Sequence, residues 1–375
     1  MSGKFNDIDM QDWKELQFSE CVNKISIKHK IKQKHYLKNG KYPIIDQGQN
    51  FISGYSNDEL TINIKKPVIV FGDHTRCFKF VDFDFIAGAD GIKILEPKEF
   101  FNEKLFYYFC LILDFPNKGY SRHYQYLAKT IMRIPPLEIQ KEIAARLDFS
   151  FDKIEKGIKY LKLAKENIIE YKQSMLKYAF EGKLTDCNNW EIKTLGEVCE
   201  ILDNIRKPIN ATERKQRLKK SNLRYAYYGA TGQIGYIDNF LFDFEAILLG
   251  EDGAPFLEPF KNKAYIVSGK YWVNNHAHIL RAKDNISINK FLCYFLNTVD
   301  YMPYVSGTTR LKLNQFSMKQ IKIPIPPIET QKEIVSILDK SFESADNMLK
   351  YVEDSLDKAE LLKRALLRDA FNGKI

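Results

Sequence analysis

A 51-residue stretch occurs twice in this chain, and no other feature constrains its fold so strongly. Residues 134–184 open with IPPLEIQKEIAARLD and close with KYAFEGKL; residues 325–375 open with IPPIETQKEIVSILD and close with RDAFNGKI. The copies are offset by 191 residues throughout, with no insertion or deletion. Whatever one copy folds into, the other is expected to fold into as well.

Each copy carries helix punctuation. Pro135/Pro136 and Pro326/Pro327 force an extended entry and pre-set φ for the first helical turn. Gly182 and Gly373 stand where a helix closes through a left-handed residue. Between them apolar residues recur with 4–3 spacing: Leu147, Phe151, Ile154, Ile158, Leu161, Ile168, Met175 and Ala179, then Leu338, Phe342, Ala345, Leu349, Val352, Leu356, Ala359, Leu366 and Ala370. A period of 3.5 held for about five heptads predicts a coiled-coil seam. Lys165, Lys172 and Lys363 interrupt it. About 45 helical residues make a rod of roughly 65 Å. Each rod has an obvious partner in the other, and a length kept this strictly reads as a spacer.

Fainter repetition extends upstream. WKELQFSECV at Trp13 parallels WEIKTLGEVC at Trp190, and YPIIDQGQNFISGY parallels LRYAYYGATGQIGY. VIVFGD at Val68 matches AILLGED at Ala246, GADGIKIL at Gly88 matches NNHAHIL at Asn274, and KLFYYF at Lys104 matches KFLCYF at Lys290. Short β-branched and aromatic runs broken by Gly, Asn and Asp predict strands and turns. Short amphipathic helices are predicted after Glu103 and Asn289. The expected architecture is α+β: a globular α/β domain over residues 1–133, a long helix over 134–184, a second domain over 185–323 and a second long helix over 324–375, related by an internal pseudo-twofold repeat. A scaffold kept while its surface diverges suggests two related sites that read two different things.

These residues carry a family resemblance. The helical repeat resembles the two central helical regions of the DNA specificity subunit of Type I restriction–modification systems. ILLGEDGAPF and GTTRLKLNQFSMKQIKIPIPP look like parts of its target-recognition domains. The first half departs from that pattern, with VIVFGDHTRCFKF in place of the first and NKGYSRHYQYLAKTIMRIPP in place of the second. The resemblance implies two target-recognition domains, each reading half of a split, asymmetric site in double-stranded DNA, held apart by antiparallel helices. It further implies two adenine-methylating modification subunits and a restriction/translocase subunit as partners, which would carry S-adenosylmethionine, ATP and Mg; no cofactor is expected in this chain.

Composition agrees with a polyanion partner. Lys and Arg exceed Asp and Glu by 57 to 48, a net charge of +9, which permits nucleic acid without proving it. DNA affinity needs cations facing phosphates, and specificity needs forked polar groups at base edges. The first half offers Lys28, His29, Lys30, Lys32, Lys34, His35 and Lys38 in one run. It adds His74, Arg76 and Lys79, then Arg122, His123, Tyr124 and Gln125. The second half offers Arg206, Lys207, Arg214, Lys215, Arg217, Lys219, Lys220 and Arg224, and a glycine-started loop with Thr308, Thr309, Arg310 and Lys312.

Other groupings read as structural. His276 and His278 alternate as metal ligands on one strand face could, but no third ligand is evident. Asp84, Glu96 and Lys98 imitate a metal-nuclease triad, with Pro97 where a strand is wanted. Glu251–Asp252–Gly253 reads as a tight turn beside DNA. There is no GxxxxGK(S/T) loop for an NTPase. Both proline pairs are followed by aliphatics, where an amino-methyltransferase needs an aromatic to stack on a flipped base. The expectation is a recognition subunit without catalysis of its own. The alternatives are a stand-alone nuclease or methyltransferase, and a coiled-coil scaffold or RNA binder without sequence preference. Six scattered cysteines without CxxC predict reduced, partly buried thiols. No signal-like N-terminus and no membrane-length apolar run fit a cytoplasmic protein.

Overall fold

The computed structural model describes residues 12–89, 91–119, 121–186 and 189–374. The N-terminal residues read above for a signal, and Cys187, lie outside the described residues. The other five cysteines are free thiols. Burial pushes those of Cys21, Cys199 and Cys293 up to about 12. Among the described residues no helix is long and apolar enough to cross a membrane.

Both rods form as single helices of 44 residues, Leu137–Phe180 and Ile328–Phe371, each starting just after its proline pair. Both end alike. Gly182 and Gly373 have φ of 74° and 69°. Lys183 N–H donates to Tyr178 O and Gly182 N–H to Ala179 O, while Lys374 N–H donates to Asp369 O and Gly373 N–H to Ala370 O. That is the paired bond pattern of a Schellman closure, which a Cβ at the left-handed residue would strain.

The chain divides into two compact units, Met1–Leu161 with Asp354–Ile375, and Lys162–Glu353, so the dividing points fall inside the two long helices. In the first unit, an antiparallel sheet orders Val22–Ile25, Ile92–Pro97, Val68–Gly72 and Phe78–Val81. Pro97 closes its strand, so the predicted break falls at the strand's last residue. A smaller sheet pairs Gly54–Ser56 with Tyr42–Ile45 antiparallel and Tyr42–Ile45 with Ile86–Ala87 parallel. Lys14–Gln17 pairs with Ile131–Ile134. The second unit repeats the plan. Its first sheet orders Cys199–Ile201, Ala277–Ala282, Ala246–Gly250 and Ala264–Val267; its second orders Gly232–Ile237, Tyr225–Gly229, Lys270–Val273 and Phe242–Asp243. Glu191–Thr194 pairs with Lys322–Ile325.

The central strands VIVFG and AILLG are buried at every position, which is why neither alternates polar with apolar. Ile69 and Phe71 face a core shared with the helix Glu103–Ile112 and with the long-helix residues Leu147 and Phe371; Val68 and Val70 face the smaller sheet. Ile247 and Leu249 face the helix Asn289–Leu296 and Leu176 and Leu338, while Ala246 and Leu248 face the second sheet. Each buried Val, Leu, Ile or Phe among them contributes about 1.5–3 kcal/mol.

Equivalence reaches single side chains. Gln140 is 1% exposed: its Nε2 donates to Phe100 O and Pro135 O, and its Oε1 accepts Asn102 N–H. Gln331, 191 residues later and 0% exposed, donates to Ile286 O and Pro326 O and accepts Ser287 Oγ–H and Ile288 N–H. Tyr108 donates to Asp148 as Tyr294 does to Asp339. Phe371 packs on Phe109 in the first unit, and Phe180 on Phe295 in the second.

The seam lysines have a purpose that the heptad pattern did not disclose. In the second unit, Lys165 and Lys172 each come within 2.6 Å of Glu353 and Asp346 respectively. In the first unit, Lys363 pairs with Glu155. The residue numbers of all three pairs add to the same total, the mark of an antiparallel register. Such pairs contribute only about 0–1 kcal/mol each. Their value is registry, since a slipped pairing leaves partly buried lysines without carboxylates.

Candidate nucleic-acid interface

Both central strands end in a glycine that the local geometry requires. A Cβ on Gly72 would lie 2.1 Å from Thr75 Oγ1, and one on Gly250 would lie 2.2 Å from the Ala254 Cβ. The turn beyond is gripped from two sides. In the first unit, Asp73 N–H donates to Gly91 O (2.6 Å), and Asp73 O accepts His123 N–H (2.8 Å). In the second, Glu251 N–H donates to His276 O (2.8 Å), and Glu251 O accepts Leu313 N–H (2.8 Å). The bond pattern therefore equates residue 91 with 276 and residue 123 with 313. His123 and Leu313, drawn from stretches that share no readable pattern, occupy one structural position.

On this common frame the side chains differ. In the first unit Asp73 is 3% exposed, and its carboxylate accepts Tyr124 N–H. His74 Nδ1 lies 3.1 Å from Ser121 O. Arg122 and Gln125 are exposed beside it. Arg76, at φ 62°, stacks its guanidinium on Phe115 and donates to Phe115 O. Tyr124 is 8% exposed under Lys24. Lys79, grouped above with the cations, is buried: its Nζ donates to Asp46 O and Asn50 O, and desolvation holds its pKa below the ordinary lysine value. It braces a loop and cannot reach a phosphate.

In the second unit the turn is acidic and the loop basic. Residues 307–312 project from a short hairpin pairing Val305–Ser306 with Lys312–Leu313. Thr308, Thr309, Arg310 and Lys312 are all exposed. Arg310 pairs with Asp252, and Lys312 Nζ lies 3.2 Å from Glu251. Arg206 donates to the other Glu251 oxygen at 2.7 Å and to Ala277 O.

His278 is buried between Asp203 (2.6 Å) and Leu313 O (2.8 Å), so both ring nitrogens face acceptors. Asp203 and Glu251 are thus the carboxylates near His278 that sequence reading missed, lying 75 and 27 positions before it. The three could hold a metal ion geometrically. Arg206 and Lys312 already neutralise the carboxylates, so the chemistry is that of an ion-pair network. Burial would raise the Asp203 carboxyl, but the bonded His278 ring, Ile279 N–H and the Arg206 charge outweigh it and bring it below the usual aspartate value. No other group of three His, Cys, Asp or Glu side chains close enough to share a metal ion is found among the described residues. His276 precedes its strand, so the two histidines do not share a strand face.

The two basic runs occupy the same connection, from the edge strand of the first sheet to the smaller sheet in one unit and to the second sheet in the other. In the first unit, Lys28, His29, Lys30, Lys32, Lys34, His35 and Lys38 are exposed on a connection that includes a single 3-10 turn, Gln33–His35, and is pinned by buried Ile31 and by Tyr36 on Asp46. In the second, the run forms the helix Ala211–Lys220, capped by Asn210. Its inner face packs by cation–π contact, Arg214 over Tyr227 and Arg217 over Trp272, with Arg217 also paired to Asp238 at 2.8 Å. Arg224 donates to Leu218 O and Ser221 O at the helix end. Lys207, Lys215, Lys219 and Lys220 are left facing water. Arg76, Tyr124, Arg206 and Arg217 are thus engaged inside the fold, a distinction that charge alone could not draw.

Comparison with known proteins follows the same division. A family model described as Type I restriction modification DNA specificity domain matches residues 10–162 and again 188–350. A Haemophilus influenzae protein provisionally designated the type I restriction enzyme specificity subunit S.HindORF215P is 37% identical over 164 residues, 43% of this chain and 39% of that protein. The EcoR124I/EcoR124II specificity subunit of Escherichia coli is 29% identical over 185 residues, 46% of this chain and 44% of that protein. The matched stretches thus span less than half of either relative. Among solved structures, a chain from a study of assembly and conformational transition of the type I R-M system matches with a TM-score of 0.70 at 15% identity, covering 97% of this chain and 98% of that one. The HsdS subunit from Thermoanaerobacter tengcongensis matches with a TM-score of 0.54, at the same identity and coverage.

Proposed function

The chain belongs to the Type I restriction modification DNA specificity family, and on that premise we propose that it is the subunit that reads a bipartite, asymmetric duplex site for partner enzymes. One observation carries this reading. Two turns sit on the same backbone frame yet present different side chains, histidine and arginine at one, carboxylate-held arginine and lysine at the other. Two readers of one design with unlike faces suit two unlike half-sites.

Catalysis in this reading lies elsewhere. Two adenine-methylating modification subunits and a restriction/translocase subunit act on the DNA that this chain selects, with S-adenosylmethionine, ATP and Mg bound in those partners, in the cytoplasm. Residues 1–133 and 185–323 are the two readers. The exposed Lys28, Lys30, Lys32, Lys34, Lys207, Lys215, Lys219 and Lys220 supply phosphate contacts. In this reading Arg122, Gln125, Thr308, Thr309, Arg310 and Lys312 contact base edges.

The test is co-expression with a methyltransferase subunit, purification of the complex and mapping of the adenines it methylates. Methylation at a split site, with one half changed when residues 185–323 are exchanged for those of a relative, supports the reading. Methyl transfer by the isolated chain would make it an enzyme. Equal binding to random duplex, to RNA and to the mapped site would make it a scaffold.

A further inference from the structure

The turn of the second unit carries a second carboxylate that the turn of the first lacks. The position after the gripped residue is Asp252 in one unit and His74 in the other. The Asp252 carboxylate is 22% exposed and pairs with Arg310, which is 59% exposed. Glu251, one residue earlier and 13% exposed, holds Lys312 and Arg206. The backbone presses the same two segments together, Gly253 N–H toward Leu311 O at 3.3 Å, with Asp252 bridged to Lys312. Gly253, at φ 71°, lets the Arg310 guanidinium lie over the turn: a Cβ there would stand 3.3 Å from Arg310 Nε. In the first unit Asp73 is buried and its carboxylate accepts a backbone N–H, and among the described residues no carboxylate pairs with Arg122.

We infer that Asp252 is a specificity-determining residue that acts through Arg310. Its carboxylate occupies the guanidinium as a phosphate oxygen would, and so withholds Arg310 from the DNA backbone. A phosphate encountered at random must displace a carboxylate already in place and then lie close to it, like charge to like charge. Only a partner that offers more than a phosphate, such as the paired acceptors on a guanine edge, draws the guanidinium away. Asp252 therefore weakens non-specific binding more than target binding. The inference rests on the DNA-reading function proposed above.

The experiment uses the full chain in complex with its methyltransferase subunits, and its probe is a duplex pool of random sequence. Binding is measured across a salt titration for the parent, Asp252→Asn, Arg310→Ala and the double variant. Asp252→Asn is expected to bind the random pool several-fold more tightly, with a log–log salt slope steeper by about 0.9, one added phosphate contact. Arg310→Ala should leave the parental slope unchanged, and in the double variant it should abolish the gain. A merely structural Asp252 would not move the slope. An unchanged slope in Asp252→Asn, or a slope already lowered by Arg310→Ala alone, overturns the inference. A parent complex that shows no salt-dependent binding to duplex overturns the function on which it rests.

Discussion

Replacing Gln331 with leucine tests the claim that a buried amide fixes each long helix to its domain. Gln331 is fully buried and makes four bonds: to Ile286 O (2.9 Å), Pro326 O (2.8 Å), Ser287 Oγ (2.8 Å) and Ile288 N (3.3 Å). Leucine matches the volume closely but makes none of them. Each lost bond costs about 1 kcal/mol net, more where a backbone group is left buried without a partner. Added apolar burial returns about 1 kcal/mol. The balance is a loss of about 3 kcal/mol. In a unit of this size, 1 kcal/mol moves Tm by about 2–4 °C, so the expected drop is about 6–12 °C. Gln140→Leu, which breaks three bonds, should cost somewhat less. Scanning calorimetry on the purified chain reads both. If Gln331→Leu melts within about 1 °C of the parent, the four bonds hold nothing and the reasoning fails.

Three further outcomes are expected. Lys215→Ala with Lys219→Ala should flatten the salt dependence of duplex binding by up to about 1.8 in log–log slope, whereas Arg217→Ala, which removes the Trp272 contact and the Asp238 pair, should lower thermal stability; an unchanged slope would make the two lysines a solvated face. Seven residues inserted after Leu161, and seven after Leu356, the opposite break in the register of the lysine pairs, add about 10.5 Å to each helix, and the gap in the methylated site should widen by about three base pairs; the old gap at full activity would refute a spacer role. The folded pKa of Asp203 lies below its ordinary 3.8, so its stabilisation is fully present above that value and is lost as pH falls through the folded pKa. Melting between about pH 5 and 2 should therefore fall more steeply in the parent than in Asp203→Asn; parallel curves would remove Asp203 from the network.

Much of the architecture was written locally. Proline pairs, left-handed glycines and a 3.5-residue apolar period act over one or two helical turns, so both 44-residue helices and their closures could be read without knowing what they touch. Every residue assigned to the seam is buried or half-buried. The central strands were legible for the same reason, as short apolar runs ending in glycine.

What only the tertiary structure decided is where charged and polar side chains find partners. Lys172 and Lys363 look like faults in a heptad until the opposing helix supplies Asp346 and Glu155. His278 lacks a neighbour in the sequence and has two carboxylates in the fold. Arg217 and Lys215 are two positions apart in one basic run, yet one is paired against Trp272 and Asp238 while the other faces water. His123 and Leu313 come from stretches that share no motif, yet they hold the same place. A helix or strand is specified by bonds and side chains a few residues apart, which a pattern records. An ion pair or a gripped turn joins segments tens to hundreds of residues apart, and its energy exists only once the backbone has brought them within about 4 Å.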